Sequence, residues 1–370
     1  VTAAKPVKEK SSLVWRLVRW GIWTILALVV AFAIFFFWAS SGDSDDRETA
    51  PGTISENSAA APAPAQVPEL RVMTFNIGYG RGPAGDASGP WSEEQIHAGL
   101  DGIVGQIKAN AADLVFLQEV DLASARSHDI DQGKYLLEGA GLRFSSCVTT
   151  WEKNYVPFPY WPPSKHYGRM RSGQCVLSRF PIVASTRHRL PQPDANPWWR
   201  NRFYLNRAID QVKVMIAGNA WEVFNVHIEA FDIPNRVDHA QRLAALVSAL
   251  PEKARVIVAG DFNAPPPEAT QKKGFVDEPE ADFSTDTTIA VVRGMGLPEA
   301  LPDPAAFTFP ADGPTRRLDY IYFGSALTKV EAKVLGQSIA TSSPLAAVAA
   351  VPPPGPFSDH LPLFARFTVR

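Results

Sequence analysis

Val256-Ile257-Val258-Ala259-Gly260-Asp261-Phe262-Asn263-Ala264-Pro265-Pro266 is the stretch on which the reading of this chain turns. Its β-branched apolar run predicts a buried strand, and the Pro pair ends it abruptly. Asp261 and Asn263 stand two residues apart, so continued strand geometry would send both side chains from one face. A carboxylate and an amide at the rim of a sheet can orient a water and hold a phosphoryl oxygen. The plainer alternative is a polar loop start, since both residues are common in turns.

Working outward, the same juxtaposition of apolar run and polar residue recurs. Upstream, Val223 to Ile228 predicts a strand carrying His227, then a helix capped by Asn235, with Val237, Leu243, Val247 and Leu250 on one face and Pro251 as its stop. Asn206 to Val214 alternates in front of them. Downstream, residues 264–300 read as surface loop with short helical pieces. Arg316 to Phe323 is a strand holding Asp319 in an apolar run, where a carboxylate is costly without a donor. Asp359 and His360 stand just before a final strand. Nearer the start, Leu70 to Ile77 is a strand ending at Asn76, and Leu114 to Leu117 is a second one followed by Glu119. Between them Ser92-Glu93-Glu94-Gln95 has the pattern of a capping box, and Ile96, Leu100, Ile103 and Ile107 recur at helical spacing. Taken singly, each polar residue has an ordinary structural reading: a satisfied strand histidine, an exposed strand end, a loop pair.

Gly21 to Ala39 carries no charge over 19 residues, about 28 Å of helix at about 1.5 Å per residue. Trp20, Trp23 and Trp38 lie near its ends. Lys5, Lys8, Lys10, Arg16 and Arg19 precede it and Asp43, Asp45 and Asp46 follow. The positive-inside rule then predicts a cytoplasmic tail (1–19), a membrane span (20–39) and a domain outside the cytoplasm. A cleaved signal peptide competes, but its apolar region is normally only about 7–15 residues. Residues 40–68, rich in Ala, Pro and Ser, read as a semi-extended tether, and the folded domain is expected over 69–370.

Residues 1–68 hold six basic and six acidic side chains within a chain of net charge −2, so the domain is also near neutral. No global field points to nucleic acid. Aromatics gather at Trp151, Tyr155, Phe158, Tyr160, Trp161 and Tyr167, and again at Trp198, Trp199, Phe203 and Tyr204. They read either as loop packing or as a rim for an apolar substrate or a bilayer. Cys147 and Cys175 are the chain's two cysteines, and a disulfide and two separate buried thiols are both compatible with their positions.

Thr74-Phe75-Asn76, Leu117-Gln118-Glu119, Gly173 to Ser178 with Arg179-Phe180-Pro181, Asn225-Val226-His227, Gly260-Asp261-Phe262-Asn263, Leu318-Asp319-Tyr320-Ile321 and Ser358-Asp359-His360 appear in the order of a known set. In that order and context residues 69–370 resemble the endonuclease/exonuclease/phosphatase superfamily. The resemblance implies a four-layered α/β sandwich, two packed and mostly antiparallel sheets flanked by helices. It also implies a divalent metal, Mg²⁺ or Mn²⁺, and hydrolysis of a phosphodiester. Carried over, Glu119 is the principal metal ligand, with Asn76 and Asp359 beside it. Asp261 orients or deprotonates the attacking water, and Asn263 holds a phosphate oxygen. His360, held by Asp319, stabilises the phosphoryl group, while His227 contacts the scissile phosphate or leaving group. Arg207 matches no motif position and is a candidate phosphate contact only. Arg317-Leu318-Asp319-Tyr320 departs from the inositol polyphosphate 5-phosphatase branch. A lipid head group or envelope phosphodiester is favoured over DNA or RNA, no protein partner is implied, and a non-catalytic binding protein on the same scaffold is the rival of another class.

Overall fold

The computed structural model describes residues 13–42, 47–83, 90–336 and 356–370. Lys5, Lys8, Lys10, Asp43, Asp45 and Asp46, used above for orientation, lie outside the described residues.

Two sheets face each other. One holds six strands: β1 (Thr49–Pro51), β7 (Ile182–Arg189), β8 (Ala208–Ile216), β9 (Asn219–His227), β10 (Val256–Asp261) and β11 (Asp319–Phe323), in that spatial order. The other holds seven: β12 (Leu327–Val334), β13 (Leu363–Val369), β3 (Glu69–Asn76), β4 (Leu114–Asp121), β6 (Gly168–Ser178), β5 (Phe144–Val156) and β2 (Thr53–Glu56). Pairing is antiparallel except for β3 with β4 and β9 with β10. Helices α2 (Glu93–Ala109) and α3 (Gln132–Ala140) bury Ile96, Leu100, Ile103 and Leu136 on the outer face of the seven-stranded sheet. Helices α5 (Ile233–Ser248) and α6 (Thr288–Arg293) bury Leu243, Val247, Ile289 and Val292 on the outer face of the other. The result is the expected four-layered sandwich. The capping box at Ser92 and Gln95 forms as its sequence predicts. At α5 the cap is Asp232, not Asn235: the Asp232 carboxylate accepts from the Asn235 N–H, and Pro234 falls in the first turn.

Period-two rows place the site. Leu70, Val72, Leu114, Phe116, Val223, Ile257, Ala259, Ile321 and Phe323 point between the sheets and form one apolar cluster. Continuing the same rows gives Thr74 and Asn76, Gln118, Asn225 and His227, Asp261, and Asp319. The inward faces thus turn from apolar to polar at one end of the sandwich. In β10 the step to Asp261 passes through Gly260, at φ +152°, where a Cβ would fall 1.9 Å from the Val226 carbonyl oxygen on β9. Only glycine fits there.

Two findings revise the tether. The stretch 49–56 forms β1 against β7 and β2 against β5, one edge strand for each sheet. The chain changes sheet at Gly52, where a Cβ would stand 2.0 Å from Ser185 Oγ and 3.0 Å from Ser146 Oγ. Ahead of it, α1 (Leu13–Ser40) is 28 residues of helix, longer at its N-terminal end than the uncharged run. It is long and apolar enough to cross a membrane, and apart from the half-buried Ala33 and Phe36 its side chains are exposed until Ala39 and Ser40. Cys147 and Cys175 face each other across β5 and β6 and form a disulfide.

Candidate active site

Asp261 ends β10 with both oxygens engaged. Oδ1 accepts the Asn263 N–H at 2.8 Å, and Oδ2 accepts Asn76 Nδ2 at 3.0 Å from the end of β3. The same Oδ2 lies 3.7 Å from His227 Nε2 and 3.7 Å from His360 Nε2. Burial is the main influence on Asp261 and lifts its pKa, an effect His360 opposes and Asp319 reinforces.

The two imidazoles are held in different states. Burial works against charge on His360, but Asp319 and then Asp261 outweigh it and hold its pKa at about 10. The His360 Nδ1–H donates to Asp319 Oδ2 at 2.9 Å, and the Phe309 ring lies 4.7 Å away, centroid to centroid. His227 is driven well below its ordinary value, first by burial and then by the neighbouring Arg207 and His360 charges. An Arg207 guanidinium N–H donates to its Nε2, which fixes the neutral ring with its lone pair toward Arg207.

Glu119 reaches the same pocket from β4, its Oε1 4.0 Å from His227 Nε2. Its backbone is left-handed, φ +55°, at a bulge between Leu117 and Val120. A bulge re-aims a side chain that a regular strand would send elsewhere, and a non-glycine residue at positive φ stores strain. Burial raises the Glu119 pKa, and the Asp359 carboxylate raises it further. A carboxylate whose ionisation a neighbouring carboxylate opposes suits a hard cation between the two. Asn76 Oδ1 accepts the Gly78 N–H at 3.1 Å and keeps a second lone pair. This donor set fits Mg²⁺ or Mn²⁺. Asp261, Asp319 and His360 also offer ligand atoms within 4.8 Å of one another. However, a protonated imidazole bonded to Asp319 has no lone pair for a metal, so that trio reads as a proton-holding relay.

All eight residues singled out in the sequence come to this end of the sandwich. Asn263, at φ +49°, turns its amide back to the Ile228 carbonyl at 3.0 Å, leaving one amide hydrogen free. Asp359 Oδ1 accepts from Ser358 Oγ at 3.0 Å, and that hydroxyl also contacts the Asn76 carbonyl at 2.7 Å.

Other residues were not anticipated. Gln118 Nε2 donates to Asn225 Oδ1 at 2.6 Å, and Asn225 Nδ2 donates to the Leu117 and Cys175 carbonyls at 3.0 Å each. Gln174 Nε2 donates to the Asn225 carbonyl at 2.8 Å. These buried amides bolt one sheet to the other directly beneath the site. Their sequence signal was a polar residue at an inward position of an otherwise apolar row. Arg126 stacks 3.6 Å over the Tyr79 ring and pairs with Asp121, walling the pocket on the β4 side.

Mixed sheets packed face to face, helices outside and an acid–imidazole pocket at one end define the four-layered α/β sandwich class. The chain belongs to the Endonuclease/Exonuclease/phosphatase family, whose profile matches residues 73–360. Members of the family are hydrolases of phosphoester bonds and typically depend on a divalent metal. An inositol phosphosphingolipids phospholipase C of Schizosaccharomyces pombe is 24% identical over 214 residues, 54% of this chain and 42% of that protein. The chain thus aligns with less than half the length of that relative. Among solved structures, an endonuclease/exonuclease/phosphatase from Beutenbergia cavernae superposes with TM-score 0.55 at 22% identity, covering 82% of this chain and 72% of that one. The mannosyl-6-phosphatase Bt3783 of Bacteroides thetaiotaomicron gives TM-score 0.52 at 16% identity, with 81% and 99% covered.

Proposed function

We infer that this chain is a membrane-anchored, divalent-metal-dependent phosphodiesterase working on the extracytoplasmic side, on a lipid head group or another envelope phosphodiester. The observation that carries the reading is Asp261 Oδ2 at 3.7 Å from two imidazoles, one bonded to the Asp319 carboxylate and the other to the Arg207 guanidinium. Asp261, its basicity raised by burial, orients the attacking water and takes its proton. His360, kept cationic by Asp319, faces the charge that builds on the phosphoryl oxygens. His227 and Arg207 meet the opposite side of the phosphate, and the free Asn263 amide hydrogen is available to one of its oxygens. Glu119, with Asn76 and Asp359, would hold the metal. A bound Mg²⁺ or Mn²⁺ supplies further neutralisation of phosphoryl charge.

The long apolar α1 and the basic residues before it support the anchor and its orientation. The disulfide suits an oxidising compartment. Near-neutral charge and a relative named for phosphosphingolipids favour lipid over nucleic acid. The test is a panel with Mg²⁺ or Mn²⁺: plasmid DNA, RNA, sphingomyelin, phosphatidylinositol and a chromogenic phosphodiester. Asp261→Asn and His360→Ala should each lower turnover at least about 10²-fold while the fold persists. Wild-type rates in either variant would remove the site.

A further inference from the structure

The end of α1 does not dangle from the domain. Phe35 lies against Tyr155 at 5.8 Å between ring centroids, and Phe36 against Trp198 at 5.7 Å and Phe203 at 5.3 Å. Arg202 sits over the Phe37 ring at 5.4 Å. Asn154 ties its backbone N–H to the Ser41 carbonyl at 2.8 Å and its side chain to the Trp38 carbonyl at 3.0 Å. The last turns of the helix are therefore seated on the end of β5, which runs on into the loop 157–167, and on the loop holding α4 (Trp198–Asn201).

Length then fixes depth. At about 1.5 Å per residue the helix is roughly 42 Å long, against a hydrocarbon core of about 30 Å. With Arg19 at one edge of the core, about 20 residues of helix reach the other edge near Ala39, so Phe35 to Trp38 form the outermost turn just beneath the head groups, and the end of β5 and the α4 loop that touch them come to that level as well. Both loops carry aromatics that the domain leaves uncovered: Tyr160 is 72% exposed, Trp161 80% and Trp198 66%. Residues 157–167 and 190–207 expose Lys165, Arg200 and Arg202 against a single carboxylate, Asp194, a composition matched to lipid phosphates.

We propose that the end of α1 and these two aromatic loops form one continuous bilayer-seating surface, which holds the pocket at head-group depth. The end of β5 and the α4 loop are also walls of that pocket, through Thr150 and through Leu205, Asn206 and Arg207. Asn154, bonded to the end of α1, is four residues from Thr150, roughly 13 Å of extended chain, and Phe203 is four residues from Arg207. Trp151 Nε1 donates to the Phe203 carbonyl at 2.9 Å, and the Asn206 N–H to the Thr150 carbonyl at 3.0 Å, so the two walls are tied together.

The surface rests on the anchored reading of α1, and two readouts separate it from the phosphodiesterase reading. In the full chain reconstituted into phosphatidylcholine–phosphatidylglycerol vesicles, Trp161→Cys, Trp198→Cys and Val276→Cys are each labelled with an environment-sensitive fluorophore. Shallow spin-labelled lipids should quench positions 161 and 198 at least twofold and leave 276, 97% exposed on another loop, unaffected. Quenching at 161 and 198 no greater than at 276 overturns the surface, whatever the enzyme does. In parallel, the Trp161→Ser/Trp198→Ser variant should lose at least tenfold on vesicle phospholipid while its rate on a soluble chromogenic phosphodiester is unchanged. Unchanged rates on vesicle phospholipid count against the surface. Quenching at both positions in a protein that hydrolyses neither substrate keeps the surface and removes the phosphodiesterase reading.

Discussion

Asp319→Asn tests how His360 gets its charge. The carboxylate is buried and its Oδ2 accepts the Nδ1–H at 2.9 Å. An amide is nearly isosteric and its oxygen can accept the same hydrogen bond, so geometry survives while the negative charge is lost. Raising a histidine from 6.5 to about 10 corresponds to roughly 5 kcal/mol at about 1.4 kcal/mol per pKa unit, the net of what the carboxylates supply and what burial takes away. Because the folded value is the higher one, this stabilisation is complete below pH 6.5 and fades as pH rises through about 10. Removing Asp319 should therefore cost several kcal/mol at pH 6 and little near pH 10. With only Asp261 and Asp359 left to oppose burial, the imidazole should titrate well below its wild-type value. Turnover at pH 8 should fall about 10²- to 10⁴-fold, with partial recovery toward acid pH. Histidine-selective NMR titration and a pH–rate profile from 5 to 10 read both effects. An imidazole that still titrates near 10 in the variant, or a profile of unchanged shape, would refute the coupling.

Gly260→Ala places a methyl carbon 1.9 Å from the Val226 carbonyl oxygen inside a buried strand pair, and should cost at least about 3 kcal/mol, read as a large fall in Tm. Asn225→Ala removes the side-chain donor to the Leu117 and Cys175 carbonyls and leaves Gln118 Nε2 with Thr74 Oγ1 alone, and should lower stability by about 2–4 kcal/mol in denaturant titration. Burial pushes the Asp210 carboxyl up to about 8, so it resists ionising in the folded protein, and stability is lost as pH climbs from about 4 through 8. Asp210→Asn should gain Tm over the wild type at pH 8 and show little difference at pH 4. Parallel curves for the two proteins would contradict that burial effect.

The rows that deliver the site were legible because burial leaves a period. Val72-x-Thr74-x-Asn76 and Val223-x-Asn225-x-His227 carry their alternation in the residues themselves, and so do the strands ending at Asp261 and starting at Asp319. Where strands bury little, the signal vanishes. β2 is exposed at every position and most of β12 faces solvent, so both are held by backbone pairing, which has no side-chain signature. β7 is similarly half open. The cysteine pairing needed the register of β5 on β6, which the spacing of two cysteines does not contain. Glu119 was found by motif, but its left-handed bulge, the reason it aims at His227, follows from how β4 meets β6 and not from any residue preference.

The strap from Thr49 to Glu56 has a further consequence for how the domain leaves or stays on a surface. It lies against β7 and β5, which would otherwise offer unpaired backbone to any passing chain. A protease that cuts between Ser40 and Thr49 would shed a domain with both flanks still shielded. A cut just after Glu56 would let the strap go with α1, and the liberated fragment would present two raw borders to its neighbours. Safe release and sticky release are thus separated by fewer than twenty residues of one strand-forming ribbon.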